Sequence, residues 1–194
     1  MTNPARKPAL GIIVGSSRRD SINRKLAGAL SALAEPLFDV HFIAIDDLPM
    51  FGEFVSKLPP AVARYRDEIA RADAILVVTP EHNRSLPAVL KNAIDWAGPA
   101  AGQNTWAGKP VLITGTSPGA IGTALAQAHL RQVLGAFLGA LVFGGEAYVT
   151  FKPDLIDANG RFTDESTRKF LQDFIDRFAA LVGRFAPQQE RSAA

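Results

Sequence analysis

Polar side chains are concentrated in three short segments of this chain, each of which follows a run of apolar residues. The first, residues 15–23 (loop 1), brings together hydroxyl groups, an amide and two adjacent arginines. Backbone N–H groups at the positive end of a helix attract an anion, hydroxyls add hydrogen bonds, and arginine pairs with phosphate oxygens. The segment therefore predicts a phosphate site at a helix N-terminus.

A second interpretation of loop 1 needs no ligand. Ser21 or Asn23 can cap the helix that follows, and the serines would then serve the helix alone. The loop has neither the lysine of a triphosphate-binding loop nor the G-x-G-x-x-G spacing of a dinucleotide fold. A terminal monophosphate is thus the anion that fits best if one is bound. Loop 1 by itself leaves both interpretations open.

The second segment, residues 80–87 (loop 2), carries five consecutive polar side chains between two prolines. Its backbone groups can bind the edge of a flat heterocycle, of which the pyrimidine ring of a flavin is one example. Glu81 also has the chemistry of a metal ligand or general base, but no cluster of histidines and carboxylates partners it in the sequence, and no metal site is predicted. His82 can equally be a solvated loop residue.

The third segment, residues 115–122 (loop 3), combines small residues with hydroxyl groups. Small side chains permit close approach of the backbone to a ligand, although a glycine-rich connection to a helix explains them as well. Loops that follow parallel strands share one edge of a sheet, where ligands bind. Three such loops in one chain therefore favour a common site.

The elements around these loops alternate between strand and helix, which predicts a parallel sheet covered on both faces. Apolar runs predict strands at residues 9–14, 40–45, 74–79 and 111–114, with a fifth from 141–143, 148–151 or both. Helical spacing predicts helices from residue 22 to before Pro36, over 61–71, 87–97 and 121–138, and a last one along Phe170, Phe174, Phe178 and Leu181.

Composition limits the classes of function. With 194 residues and 47% hydrophobic residues, we expect one domain over residues 9–185, with flexible ends at 1–8 and 186–194. The absence of cysteine excludes disulfides, iron–sulfur clusters and a thiol nucleophile. A net charge of +2 without a dense block of basic residues does not indicate nucleic-acid binding. With no signal-peptide core and no run long enough to span a bilayer, we expect a cytoplasmic protein without membrane contact.

Three stretches of the chain together resemble the NADPH-dependent FMN reductase family. They are Gly-Ser-Ser-Arg at 15–18 with Ser21 and Asn23, Pro-Glu-His-Asn at 80–83 with Ser85 and Pro87, and Leu-Lys-Asn-Ala-Ile-Asp-Trp at 90–96. The resemblance implies a flavodoxin-like α/β three-layer sandwich with a five-stranded parallel sheet of order 2-1-3-4-5. It implies that FMN is bound by Ser16, Ser17, Arg18, Arg19, Asp20, Ser21, Ile22, Asn23, Pro80, Glu81, His82, Asn83, Arg84, Ser117 and Gly119.

The resemblance also implies an activity. NADPH or NADH would reduce FMN by ping-pong hydride transfer, and quinones, flavins, azo or nitro compounds or chromate would accept the electrons, with no catalytic side chain. It implies a homodimer or homotetramer. The region around Trp96, Trp106 and Phe137 offers aromatic anchors for such an interface, unless these aromatics are ordinary core residues. Four places depart from the family pattern: His82 replaces a usual tyrosine, Arg84 stands where aromatic or small residues are common, Ala88 replaces a common glycine, and residues 122–125 read Gly-Thr-Ala-Leu where many relatives have Gly-Gly followed two residues later by Arg. These departures leave substrate preference and subunit contacts open.

Two other functions remain compatible with the residues. A flavodoxin-like FMN electron carrier would have no nicotinamide site, but such carriers are usually strongly acidic, whereas this chain has a net charge of +2. A regulatory module of the same fold would bind no flavin at all. Cofactor content and reduction by NADPH separate these alternatives.

Overall fold

A parallel sheet organises residues 6–52 and 57–185, the part of the chain that the computed structural model describes. The strand order is β2-β1-β3-β4-β5, so the predicted topology is confirmed. The strands are β1 (Ala9–Val14), β2 (Asp39–Ile43), β3 (Ala74–Val78), β4 (Pro110–Ser117), β5 (Leu141–Val142) and β6 (Tyr148–Thr150).

The place beside β4 is shared by two short strands. β5 pairs in parallel with Pro110 and Val111, and β6 pairs in parallel with the other end of β4, from Gly115 to Ser117. Both of the segments predicted for the fifth strand are therefore strands. β4 is longer than predicted, because β6 gives its last three residues a backbone partner, and the beginning of loop 3 belongs to the sheet.

Five α-helices cover the two faces within these residues: α1 (Ile22–Ala34), α2 (Pro60–Arg71), α3 (Ala88–Trp96), α4 (Ala124–Arg131) and α5 (Glu165–Phe185). The single helix predicted over 121–138 is interrupted. α4 ends at Arg131 and continues as a π-helical segment, Gln132–Phe137, in which the N–H of Leu138 reaches back five residues to the carbonyl of Val133.

Two hydrophobic cores lie on opposite faces of the sheet, as the alternation of side chains along β1 requires. Leu10 and Ile12 pack with Phe174 and Phe178 of α5, and α1 completes that layer. Ile13 points the other way, into a core shared with α2, α3 and α4. These side chains are all fully buried, and each contributes roughly 1.5–3 kcal/mol.

The Leu-Lys-Asn-Ala-Ile-Asp-Trp motif lies on α3 and is structural. The Trp96 indole N–H donates to the carbonyl of Pro49 at 2.7 Å, and the Asn92 amide exchanges hydrogen bonds with Pro49 and Phe51. The Arg66 side chain donates to the carbonyl of Trp96 at the helix end, and desolvation by burial lowers the pKa of Arg66. α3 is thereby fixed against the β2–α2 connection.

The prediction of aromatic interface anchors is wrong for two of its three residues. Trp96 is 2% exposed and Trp106 is fully buried, because both indoles pack in the core beside α3. Phe137, on the π-helical segment, is 76% exposed. Only this third aromatic is available to a partner.

The predicted domain limits stay a prediction. Residues 1–5 and 186–194 lie outside the described residues. Of the predicted flexible N-terminus, Arg6 pairs with Asp73 at 3.1 Å and Lys7 donates to the carbonyl of Glu35. No helix among the described residues combines the length and apolarity needed to cross a membrane.

Candidate flavin site

Loops 1, 2 and 3 meet at the carboxyl edge of the sheet. The chain leaves β1 towards β2 on one side and returns to β3 on the other, so the strand order reverses between β1 and β3. Loop 1 leads to α1 on one face, whereas loop 2 leads to α3 on the opposite face. A crevice opens at such a reversal, and it is the place where ligands bind in open α/β sheets.

Loop 1 turns sharply at the end of β1. The N–H of Gly15 donates to the carbonyl of Val78, and a β-carbon at this glycine would lie 2.9 Å from Leu90 of α3. Ser21 is the N-cap of α1 and its hydroxyl oxygen accepts from the N–H of Arg24. Both Ser16, next to the first residue of the loop, and the helix cap Ser21 are buried.

Several backbone donors of loop 1 point to no protein acceptor. Within the described residues, the N–H groups of Ser17, Arg19, Ile22 and Asn23 make no hydrogen bond to the protein. Four consecutive residues, 17–20, are exposed. Free N–H donors at a helix N-terminus favour the binding of an anion, because they can donate hydrogen bonds to it and because the helix dipole is positive at that end.

Two arginines add positive charge to loop 1. Arg18 lies 3.5 Å from Asp20, but both side chains are more than three-quarters exposed, so this ion pair is weak and easily exchanged for another anion. A cavity of about 100 Å³ adjoins the loop between Ser16, Arg24 and the ends of β1 and β2.

The Asn23 side chain joins two of the loops. Its amide donates to the carbonyl of Thr116 and accepts from the N–H of Thr116, both at 2.9 Å, and the side chain is buried. The amide therefore ties loop 1 to the end of β4, and the predicted contact of Asn23 with FMN stays a prediction.

The tip of loop 2 is a two-residue turn. His82 and Ser85 exchange both backbone hydrogen bonds at 2.9 Å, while Asn83 and Arg84 have φ angles of 50° and 64°. Two positive φ angles in succession are typical of a type I′ turn, which prefers Asn-Gly. Arg84 thus adopts a backbone conformation that favours glycine, at a cost of about 1 kcal/mol or more.

Glu81 lies beneath that turn and faces α4. Its Oε2 accepts from the N–H groups of Leu125 and Ala126 at 3.0 and 3.2 Å, and its side chain is 11% exposed. Its Oε1 is 3.7 Å from the guanidinium of Arg84, which is 70% exposed. The carboxylate is therefore a helix cap that joins loop 2 to α4.

His129 is a contact that the sequence does not reveal. Its Nδ1 lies 2.7 Å from the Ser85 hydroxyl, so α4 holds loop 2 at a second point. The two residues are 44 positions apart; Ser85 belongs to loop 2, but nothing in the sequence around His129 marks it as a partner of that loop.

Loop 3 is held by its own hydrogen bonds. The Ser117 hydroxyl donates to the carbonyl of Gly122 at 2.6 Å and accepts from the N–H of Gly119. A β-carbon at Gly115 would lie 1.9 Å from the carbonyl oxygen of Thr79. The Ser117 hydroxyl therefore stabilises the loop itself, and its predicted contact with FMN stays a prediction.

The donors of these loops fit the two ends of FMN. Loop 1 supplies free N–H groups, hydroxyls and arginines, which suit a phosphate dianion. In loop 2, the N–H groups of Glu81, Asn83 and Arg84 have no acceptor among the described residues, and the pyrimidine edge of a flavin consists largely of acceptors. The side chains of His82, Asn83 and Arg84 are exposed around them.

All of the residues predicted for the site belong to loops at this one edge. Their side chains fall into two groups. Those of Asn23, Glu81 and Ser117 form hydrogen bonds to the protein's own backbone. The side chains of Arg18, Arg19, His82, Asn83 and Arg84 are exposed. Whether each contacts FMN remains a prediction.

Comparison with known proteins agrees with this geometry. Residues 8–154 match the family model of NADPH-dependent FMN reductases. A 2-hydroxy-1,4-benzoquinone reductase from Burkholderia sp. is 49% identical over 174 residues, which is 89% of this chain and 95% of that protein. A quinone reductase from Pseudomonas putida is 45% identical, over 90% of this chain and 94% of the relative.

A solved structure shows the same arrangement of the chain. The flavoenzyme FerB, an NAD(P)H:(acceptor) oxidoreductase from Paracoccus denitrificans, superimposes with a TM-score of 0.86 at 44% identity. The match covers 91% of this chain and 98% of that protein. Fold and sequence thus point to the same relatives.

Proposed function

The chain belongs to the NADPH-dependent FMN reductase family and is an NAD(P)H-dependent, FMN-containing reductase; from that premise we propose that loops 1, 2 and 3 hold the FMN and that quinones are its acceptors. FMN supplies the redox chemistry when bound: it accepts a hydride from the reduced nicotinamide and passes two electrons on. The protein binds and orients the FMN and leaves one face of its ring accessible.

One observation carries the proposed site. Free N–H groups at the N-terminus of α1 and free N–H groups in loop 2 lie on the two sides of the strand-order reversal. The first group suits a phosphate and the second suits the edge of a heterocycle. We therefore assign the phosphate to residues 16–23 and the ring to the space bordered by residues 80–84 and by Ser117 and Gly119.

The proposal of a quinone acceptor is supported by the relatives. Two proteins that are 49% and 45% identical carry quinone reductase names. A flat acceptor can stack on a flat ring, and the exposed side chains of His82, Asn83 and Arg84 would border it. NADPH and NADH remain alternative donors, and flavins, azo or nitro compounds and chromate remain further candidate acceptors.

The electron carrier and the regulatory module are less well supported. The relatives that are 49% and 45% identical are named as reductases. A reductase needs a nicotinamide to reduce its flavin, whereas an electron carrier or a regulatory module does not. The visible spectrum of purified protein, before and after NADPH without oxygen, separates the three. Bleaching of a flavin spectrum is expected for the reductase; a carrier stays yellow, and a module without flavin has no visible absorbance.

A double variant tests the proposed phosphate site. Ser16→Ala with Arg18→Ala should lower FMN content and affinity while the fold remains, because Arg18 is exposed and loop 1 lies at the sheet edge. Arg71→Ala, with a side chain 78% exposed at the far end of α2, is the matched control. Undiminished FMN in the double variant would place the phosphate elsewhere.

An oligomer is a further part of the proposal. A groove of about 280 Å³ runs between α3 and the π-helical segment, with Ile94, Pro99, Val133 and Leu138 in its walls. Phe137 lines the same groove and is 76% exposed. The groove also contains the polar side chains of Lys91, Asp95, His129 and Gln132. Two copies related by a two-fold axis could each place Phe137 against the groove of the other, and a tetramer would need a second contact. A cytoplasmic location stays a prediction of the sequence.

A further inference from the structure

Helix α4 has no N-terminal cap of its own. Its N-cap residue, Thr123, is fully buried, and its hydroxyl accepts from the Gln127 amide at 3.1 Å instead of from the helix N-terminus. The N–H groups of Leu125 and Ala126 depend on an acceptor from elsewhere. Glu81 of loop 2 supplies it, through one carboxylate oxygen.

This contact joins two borders of the crevice. α4 follows loop 3 directly, so its N-terminus lies at the carboxyl edge of the sheet. Glu81 is the first residue of loop 2 whose backbone N–H has no acceptor among the described residues. The Glu81 carboxylate bridges the two borders, and together with the contact between Ser85 and His129 it fixes their separation. It also places a negative charge against the positive end of the α4 dipole, which it offsets.

We propose that Glu81 is a positioning residue that sets the spacing of loops 2 and 3 around the flavin and, by neutralising the N-terminus of α4, lowers the reduction potential of bound FMN. The inference rests on the proposed FMN site. It assigns Glu81 no contact with the nicotinamide or the acceptor.

The charge effect has a definite sign. Two-electron reduction increases the negative charge on the pyrimidine end of a flavin, and positive charge nearby favours the reduced form. The Glu81 carboxylate cancels part of the positive potential that α4 would otherwise direct at the crevice. Loss of that charge with the hydrogen bonds retained should therefore favour reduced FMN.

Two variants separate spacing from charge. Glu81→Gln keeps an acceptor for the α4 N–H groups, so the affinity for oxidised FMN should stay within about threefold of wild type. The affinity for reduced FMN should rise about tenfold relative to that for oxidised FMN. This ratio corresponds to a rise of about 30 mV in the reduction potential of bound FMN. Glu81→Ala removes the acceptor. FMN affinity should fall about tenfold, and amide exchange in the apoprotein should speed up over residues 80–87 and 119–126.

A capping carboxylate elsewhere is the matched control. Asp164 accepts from Ser166 and Thr167 at the start of α5, and those hydrogen bonds hold its pKa at about 2. Asp164→Ala removes a charged helix cap just as Glu81→Ala does, but from a helix whose N-terminus is not joined to loop 2. Thermal stability should fall in both variants, whereas FMN affinity and potential should change only at Glu81.

The outcomes are distinct. Wild-type protein that does not bind FMN would overturn the proposed function itself. With FMN bound to wild type, an unchanged or lower potential in Glu81→Gln overturns the role of Glu81, and this variant carries the test if Glu81→Ala does not fold. Equal losses of FMN affinity in Glu81→Ala and Asp164→Ala would also overturn it, because they would report general destabilisation.

Discussion

We propose that Arg84 is the side chain through which this crevice distinguishes NADPH from NADH. Its guanidinium is 70% exposed, 3.7 Å from Glu81, and projects from a turn whose backbone is fixed by two hydrogen bonds. A charge-assisted pair with the 2′-phosphate of NADPH is worth about 1.5–3 kcal/mol. NADH has no such phosphate.

We therefore expect Arg84→Ala to raise the Michaelis constant for NADPH by roughly 10- to 100-fold and to leave that for NADH nearly unchanged. Steady-state kinetics with both donors measures the contrast, and Arg71→Ala controls for loss of an exposed charge. Equal weakening of both donors would assign Arg84 to the order of loop 2; no change in either would place the 2′-phosphate on another residue.

Loss of the Asn23 amide should lower the stability of the fold. Asn23→Ala leaves the N–H and carbonyl of Thr116 without their partner in a buried place, which should cost about 2–4 kcal/mol. Urea unfolding measures the loss. Asn159→Ala, at an exposed turn, should stay within about 0.5 kcal/mol of wild type. A comparable loss in both variants would contradict the role of the bridge.

At the scale of single residues, the sequence predicts where polar groups gather but not what they bond. Asn23, Glu81 and Ser117 are predicted site residues, yet their side chains serve Thr116, α4 and Gly122. A short polar side chain can satisfy the protein's own backbone or a ligand equally well. Only the three-dimensional positions of the acceptors and donors decide between them.

At the scale of elements, the contact between β3 and β4 depends on Gly115. A β-carbon there would lie 1.9 Å from the Thr79 carbonyl oxygen and 2.5 Å from the Thr123 hydroxyl. Gly115→Ala should therefore force the strands apart and destabilise the protein by about 1–3 kcal/mol. Gly28→Ala, in open space on α1, should stabilise it by about 0.5–1 kcal/mol. Thermal unfolding of the pair checks both signs.

The elements that the sequence predicts well are those with a strong local pattern. β1 and β3 are continuous apolar runs, and α2 begins at Pro60, one residue before its predicted start, and ends at Arg71 as predicted. The extension of β4 to Ser117 is missed because it depends on pairing with β6, more than 30 residues away. The end of α4 is missed because the spacing of Leu130, Leu134 and Leu138 suits a continuous helix.

At the scale of the whole molecule, the exposed face at Phe137 predicts association. Light scattering at micromolar concentration should return a mass of at least twice 20.7 kDa. Phe137→Glu should shift the protein towards 20.7 kDa, because a charge would be buried at the contact. Phe170→Glu, at a side chain 47% exposed on α5, should leave the mass unchanged. A wild-type mass near 20.7 kDa would contradict the oligomer.

The parallel sheet with helices on both faces could be predicted from the alternation of strands and helices, whereas its strand order is what the family resemblance implies. The crevice follows from that topology, since the order reversal between β1 and β3 fixes which loops meet. The interface could not be predicted in the same way. Trp96 and Trp106 have the residue type of interface anchors, but composition does not show which side of α3 faces the core.

The π-helical segment has an evolutionary consequence. A turn closed by a five-residue hydrogen bond contains one residue more than an α-turn, so deletion of a single codon within Gln132–Phe137 would restore an ordinary helix. Because the extra residue is taken up by the wider turn, the residues on either side of such a deletion would keep their faces, and the groove beside α3 would keep its lining. One inserted or deleted residue is thus enough for descendants of this chain to widen or tighten this turn while the groove, the sheet and the crevice remain unchanged.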